Sequence, residues 1–445
     1  MTGRRAIVIG AGIAGILAGR ALAGSFDEVL LLERDPDPEA GGVRKGVPQG
    51  AHAHVLIQGG RNAIRDLLGD PVFDGSLETS QTRDLKWFQF GVWKTRFESD
   101  LTAHWCDRPR FEAALRRQII EQAGIRLETG GRALGLFAED GRVRGVRATR
   151  ADGQEARLDA DLVVDGSGAG SRLPEWLAAA GLGTVAEERI GVDIGYATRV
   201  YTRPAVMGRD WQVLAIYPKP PESRRAGILY PLDGERCLLT LAGWLGDHPP
   251  GDDAGYLAFA RSLPQPDLAE ALLGMEPLTA IRRYRFPASR WRHFEQLPTW
   301  PEGLIAVGDA ICRFNPIYGQ GMSVAALDAR TLAGVDWLRP GAAAKAQKAL
   351  AKHREAPWLL AASMDFRFPE MAGRRPLGLG LLNAYARGLL ELSAERKDVN
   401  LRFFEVLDLL RSPAALFSPP LALQVARWAL GGLPRSSRQA TWPAG

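Results

Sequence analysis

The chain has 445 residues, enough for two or three domains and a large core. Charged residues are 24% and hydrophobic residues 46%, and a net charge of +5 comes without any Lys/Arg block, so nucleic-acid binding is not expected. Cys106, Cys237 and Cys312 are scattered without C-x-x-C spacing, which argues against a disulfide framework or a zinc site. The longest uncharged run near the end, Ser412 to Ala426, is short and holds three prolines, so no transmembrane helix is expected and a cytoplasmic protein is the default.

The chain opens on a short β-branched run, Ala6 to Ile9, which reads as a buried parallel strand. Gly10, Gly12 and Gly15 follow with G-x-G-x-x-G spacing, with Ala14 between them. A helical apolar pattern then continues through Ala23, and a second buried strand ends on Glu33, with Arg34 next. Gly10 permits the tight turn, Gly12 lets the backbone approach a pyrophosphate, and Gly15 allows close helix–strand packing. The helix N-terminus offers free N–H groups to phosphate oxygens, and Glu33 can accept hydrogen bonds from a ribose hydroxyl. Arg4-Arg5 before an apolar stretch resembles a signal peptide. Glycines at 10, 12, 15 and 19 make a poor helical h-region, however, and the βαβ context already explains these residues.

A Pro/Asp/Gly loop over 34–43 leads to Arg44-Lys-Gly-Val-Pro-Gln49 and His52-Ala-His54. Two histidines at i and i+2 share no helix face and have no acidic neighbour, so metal binding is not expected. The segment reads either as a polar stretch against a cofactor or as a surface loop. Helical spacing follows over 56–68, then an aromatic alternating stretch, Lys86 to Phe97, which reads as strands. Arg108 to Ile119 is an amphipathic helix with Pro109 in its first turn, and Asp140-Gly141 signals a hairpin between strands 132–138 and 142–149.

Two further strand-to-turn units repeat the opening design. Ala160 to Val164 runs into Asp165-Gly166-Ser-Gly168-Ala-Gly170, and Gly303 to Val307 runs into Gly308-Asp309. After the second comes Arg313-Phe314-Asn315-Pro316-Ile-Tyr318-Gly319-Gln-Gly321-Met322, entering a helix expected over 322–338. A carboxylate at a strand end can bind a polyol hydroxyl, and a helix N-terminus can face a carbonyl oxygen. Between these units, strand-like runs fill 195–286. Trp211, Tyr217, Tyr230 and Trp244 are cavity candidates there, although such aromatics are more often plain core. Beyond residue 340 the chain turns helical and apolar, reading as helices packed on the nucleotide-binding part or as a cap that widens an apolar pocket.

These units in this order resemble the group A flavoprotein monooxygenases, the p-hydroxybenzoate hydroxylase superfamily. Arg44 to His54, Phe314 to Met322 and Asp365-Phe-Arg-Phe-Pro369 are similar to polyether-pathway flavin epoxidases and related tailoring hydroxylases. The resemblance implies an α/β fold with a Rossmann-like FAD-binding domain (1–75, 100–190 and 290–340). It also implies an inserted mixed β-sheet substrate domain (76–99 and 191–289) and a C-terminal helical region (341–445). It assigns Glu33 to the adenosine ribose, Arg44 and Arg108 to FAD, and Asp309 to the ribityl and pyrophosphate region. Asp165-Gly166 falls in the motif implicated in FAD and NAD(P)H binding, and Pro316 to Met322, with Gly319 and Gly321, would line the flavin ring. Cys312 stands where many hydroxylases carry His, and reads as a small buried residue.

The activity so implied is FAD-dependent monooxygenation. NAD(P)H is a transient electron donor, and oxygen passes from a flavin C4a-hydroperoxide to a hydrophobic polyketide, isoprenoid or prenylated aromatic. No second G-x-G-x-x-G unit is present for a standing NAD(P)H domain, and no residue stands out as a catalytic base. The alternatives are a flavin-dependent reductase of isoprenoid double bonds, a flavin-dependent halogenase (no W-x-W-x-I-P segment is present) and a flavin-binding protein without turnover. The oligomeric state leaves no mark in the sequence.

Overall fold

The computed structural model describes residues 3–36, 42–69, 77–122, 124–205, 207–208 and 210–429. Residues 37–41 of the loop expected after Glu33, and 430–445 of the C-terminal region, lie outside the described residues.

Five aliphatic runs form an all-parallel sheet in the order Leu304–Ala306, Leu162–Asp165, Arg5–Ile9, Glu28–Glu33, Ile125–Thr129. Ala6 to Val8 and Val29 to Leu31 are fully buried, as a parallel sheet covered on both faces requires. The register aligns Ile9 with Asp165 and Asp165 with Ala306. The three strand-to-turn units singled out in the sequence therefore end side by side at one edge, the carboxyl end of the sheet, where open α/β folds bind ligands.

The opening helix, Ile13–Leu22, starts at Gly12 and packs between helices Gly321–Ala333 and Arg108–Ile120. Its close approach depends on Gly15: a Cβ there would sit 1.8 Å from the Gly10 carbonyl oxygen. The predicted hairpin joins Arg132–Glu139 to Arg142–Thr149, with positive φ at Asp140 (51°) and Gly141 (71°), the turn that Asp-Gly favours. The helix entered at Gly321 stops at Ala333, short of the expected 338.

A second, seven-stranded sheet runs Arg282–Phe286, Ile194–Thr202, Arg236–Gly243, Arg225–Pro231, Val213–Ile216, Leu85–Gln89, Val92–Trp93. Residues 85–93 thus join the sheet built by 194–286, and within 86–97 the strands are short and broken at Phe90-Gly91, both at positive φ. One face packs Leu214, Leu229, Leu239 and Leu241 against helices Asp253–Arg261 and Asp267–Ala271, two elements the sequence reading missed. The opposite face carries Trp87, Ile228 and Tyr230 and meets Leu389, Val399 and Phe403 of the C-terminal helices.

Candidate active site

The carboxyl edge of the parallel sheet and the second sheet enclose one cavity of about 640 Å³. Gly10, Gly12, Ala14, Glu33, Arg34, Arg44 and Arg108 line one end, and Gly308, Asp309, Gly319, Gly321 and Met322 line its middle. Phe314, Asn315, Pro316 and Tyr318 also reach the wall. Gly15 and Asp165 do not. Gly15 is consumed in packing against Gly10. The Asp165 carboxylate is fully buried and held by Ser167 N (3.0 Å) and the Ser167 and Ser171 hydroxyls (2.5 Å each), so it shapes the Gly166–Gly170 loop from behind while the loop itself lines the cavity.

At the glycine end, Glu33 is fixed before any ligand arrives. Its Oε2 accepts from Ala11 N at 2.8 Å, its Oε1 from Asp35 N at 2.9 Å, and Arg44 lies 3.2 Å from Oε2. Behind them sits Glu112, a residue sequence reading did not nominate. Arg108 donates to its Oε2 through Nε (3.1 Å) and Nη2 (2.9 Å), Arg116 donates to Oε1 at 2.9 Å, and Arg44 also donates to Oε1. Arg116 bonds the Ala11 carbonyl too, at 2.9 Å, tying the cluster to the glycine turn. Burial alone would raise the Glu112 carboxyl, but Arg108, Arg44 and Arg116 outweigh it and hold it below the ordinary glutamate range. Helical spacing of 108, 112 and 116 is the one sequence signal that could have found this cluster.

The Gly308-Asp309 turn is anchored in a similar way. Gly308 N donates to Asp328 Oδ2 at 3.0 Å, and fully buried Arg354 donates to both oxygens of that carboxylate. Asp309 is left facing the cavity, where burial raises its carboxyl against the opposing charges of Arg313 and Arg108.

The other end of the cavity is aromatic. Tyr196, Tyr217, Tyr284, Trp105, Ile228 and Val55 line it. Of the four aromatics proposed from sequence, Tyr217 alone is there. Trp244 turns to Asp365, Tyr230 donates its hydroxyl to Cys106 O (3.4 Å) and accepts from His54 N (3.1 Å), and Trp211 packs on the far face of the sheet. The 46–55 segment lines the cavity and is no surface loop. Within it, His52 bonds Thr198 at 2.7 Å; burial and the charge of Arg282 bring its pKa down to about 4, while burial and Arg108 bring His54 to about 3. Both rings are neutral near neutral pH. No described residue beyond Ala325 lines the cavity, so the expected widening by the C-terminal helices does not occur: helix Ala342–Asp365 packs on the parallel-sheet part, the other reading of this region, and helices Leu379–Leu392 and Lys397–Leu407 cover the second sheet.

The residues fit an adenine dinucleotide. A Cβ built on Gly12 meets nothing nearer than Arg44 Nη2 at 3.9 Å, so the helix N-terminus opens on space, and no side chain caps it. Among the described residues, no group of three or more His, Cys, Asp or Glu is placed to hold a metal, and no helix is long and apolar enough to cross a membrane.

No protein-family model matches the chain. Protein Rv3254 of Mycobacterium tuberculosis is 32% identical over 394 residues, covering 83% of this chain and 82% of that protein. Squalene epoxidase 2 of Arabidopsis thaliana is 24% identical over 372 residues, 81% of this chain but 58% of the plant protein. Among solved structures, the flavin-dependent halogenase CmlS superposes with a TM-score of 0.67 at 16% identity, over 96% of this chain and 77% of its own, a likeness of fold. With the three strand-end units, the open glycine cradle and these relatives together, the chain belongs to the group A flavoprotein monooxygenase superfamily.

Proposed function

We propose that the protein is a cytoplasmic FAD-dependent monooxygenase that uses NAD(P)H and O₂ to epoxidise or hydroxylate a hydrophobic natural product. The observation that carries this reading is the single cavity joining the glycine–arginine end to the aromatic end, within the size range of ligand sites. In it, Gly10, Gly12 and Ala14 would take the pyrophosphate, Glu33 the ribose, and Asp309 the ribityl chain. The segment 314–322 would meet the flavin ring. Bound FAD would supply redox and oxygen-transfer chemistry, which side chains cannot.

The protein's own part is positional. Glu33, prebound by Ala11 N and Asp35 N, needs no reorganisation to accept a hydroxyl. Tyr217, pinned through its hydroxyl to Ile317 O at 2.9 Å, ties the aromatic end to the flavin-facing segment. The apolar and ring surfaces of Ile228, Val55 and Trp105 keep water from the reacting end. Alkene epoxidation needs no protein base, and the neutral, buried histidines suit that reaction. The plant squalene epoxidase likeness supports the same choice.

A halogenase reading has the CmlS fold likeness in its favour. Against it stand the missing W-x-W-x-I-P segment and the absence of lysine among the described residues lining the cavity. The test is turnover of FAD-loaded protein with apolar alkenes and phenols, read by mass spectrometry. A product one oxygen heavier, formed only with NAD(P)H and O₂ and carrying label from ¹⁸O₂, is expected. A halide-dependent product, or a saturated one formed without O₂, would replace this reading with one of its rivals. Absence of FAD binding would end it.

A further inference from the structure

Asp365 ends helix Ala342–Asp365 and opens the Asp365-Phe-Arg-Phe-Pro369 segment, which the cofactor cleft leaves without a task. Its carboxyl is fully buried and lopsided. Oδ1 accepts from Tyr318 Oη at 2.8 Å, Asn315 Nδ2 at 3.0 Å and Trp244 Nε1 at 3.3 Å, whereas Oδ2 is buried without a hydrogen-bond partner. Two of the donors belong to the wall segment 314–319, and the third follows strand Arg236–Gly243 of the second sheet. Asn315 Oδ1 in turn accepts from Tyr196 Oη at 3.3 Å, so the network reaches the cavity again at its aromatic end.

No cation neutralises this group among the described residues. Arg367, two residues on, lies over the Phe90 ring at 4.5 Å and donates to Asn383 O at 3.2 Å. A buried acid held by neutral donors alone, with one bare oxygen, is a poor structural device, because an amide or an apolar side chain would avoid the desolvation cost.

We propose that Asp365 is a positioning residue whose charge, acting through Tyr318 and Asn315, tunes the flavin held against segment 314–322. The inference rests on the FAD reading above. Burial raises the Asp365 carboxyl to about 6, the three hydrogen bonds opposing that rise. The titratable groups around it are the phenol of Tyr318, bonded to it, that of Tyr196, one hydrogen bond further on, and Arg367, two residues along the chain; burial pushes both phenols up and, with the charge of Arg387, brings Arg367 down to about 10. None of these changes charge between about pH 5 and 8, and Asp365 does. Its negative charge opposes adding electrons to a flavin nearby, so protonation below about pH 6 makes the flavin easier to reduce.

The test uses full-length protein loaded with FAD, with its visible spectrum and reduction potential followed against pH. The wild type is expected to show a one-proton step near 6. In Asp365→Asn the step in the oxidised flavin's spectrum disappears, and above about pH 6 the potential lies above the wild type's at the same pH. In Tyr318→Phe, where one hydrogen bond to the charged form is lost, the step moves up by about one pH unit. If Asp365→Asn does not fold, Tyr318→Phe carries the test by itself. FAD bound with a pH-independent spectrum, or a step that neither substitution moves, overturns the inference and leaves the FAD reading standing; failure of the wild type to bind FAD overturns both.

Discussion

Glu112 is the group on which the glycine end depends most, and Glu112→Gln isolates its charge, because glutamine keeps the size and one acceptor oxygen. Four side chains are involved: Glu112 and Arg116 at 4% and 1% exposure, Arg44 and Arg108 at 9% and 11%. Removing the carboxylate leaves Arg44 with Glu33 and Asp35, and Arg116 with the Ala11 carbonyl, but strips Arg108 of its ion pair. Breaking a buried pair from one side costs about 3–5 kcal/mol. For a chain of this length that corresponds to a fall in Tm of about 3–5 °C near pH 7.

The sign with pH follows from linkage. The folded-state pKa of Glu112 lies below its unfolded value, so its contribution is fully present above the ordinary glutamate range and is lost as pH falls through the folded value. The gap between wild type and Glu112→Gln should therefore be widest at neutral pH and close on acidification. Differential scanning calorimetry at several pH values measures it. A Tm within about 1 °C of wild type at neutral pH would refute the claim that three arginines converge here on one indispensable charge.

Gly12→Ala and Gly15→Ala separate binding from folding. The Gly12 site has room for a methyl group at a φ of −76°, so Gly12→Ala should keep its Tm yet bind FAD at least tenfold more weakly, about 1.4 kcal/mol. Gly15→Ala puts a methyl group into the Gly10 carbonyl and should lower the yield of folded protein whether or not FAD is added. Lys94, 5% exposed and donating to Leu390 O and Ser393 Oγ at 2.7 Å each, is brought to about 7 by burial. The unfolded chain binds its proton more tightly, so stability rises with pH from about 7 towards 10, and urea midpoints of Lys94→Met should lack that slope. Burial raises Asp408 to about 8, so between about pH 4 and 8 the folded chain holds a proton the unfolded one releases. Stability should fall across that window by up to about 1.4 kcal/mol per pH unit, and Asp408→Asn should flatten it; an unchanged slope refutes the burial argument for that residue.

What could be read in the sequence is the part of the molecule that local geometry dictates. Gly10, Gly166 and Gly308 each follow a buried strand, and a strand that stops at a glycine needs only its neighbours to form that turn. The glycine end of the cavity is made largely of backbone, so its spacing survives in one dimension. The Asp140-Gly141 hairpin was legible for the same reason. The helices 253–261 and 267–271 were missed because they cover one face of a sheet. Their apolar residues, Tyr256, Phe259 and Leu268, make sense only against Leu239 and Leu241 in that sheet.

The aromatic end escaped for a different physical reason. Tyr196 and Tyr284 meet because strands Ile194–Thr202 and Arg282–Phe286 pair in one register, and a slip of strand Arg282–Phe286 by one residue would turn Tyr284 away from the cavity. Which tyrosines reach a ligand is thus decided by strand pairing across nearly ninety positions. The buried acids follow the same logic. Asp328 meets Arg354 from the next helix, and Asp365 meets Trp244 and Tyr318 from two other elements. In sequence each is one more aspartate among ordinary helical residues; only packing removes water and gives its charge consequence. The strand-end turns were therefore written in the spacing of glycines and aspartates, whereas the groups around the aromatic end are defined by what the fold brings to them.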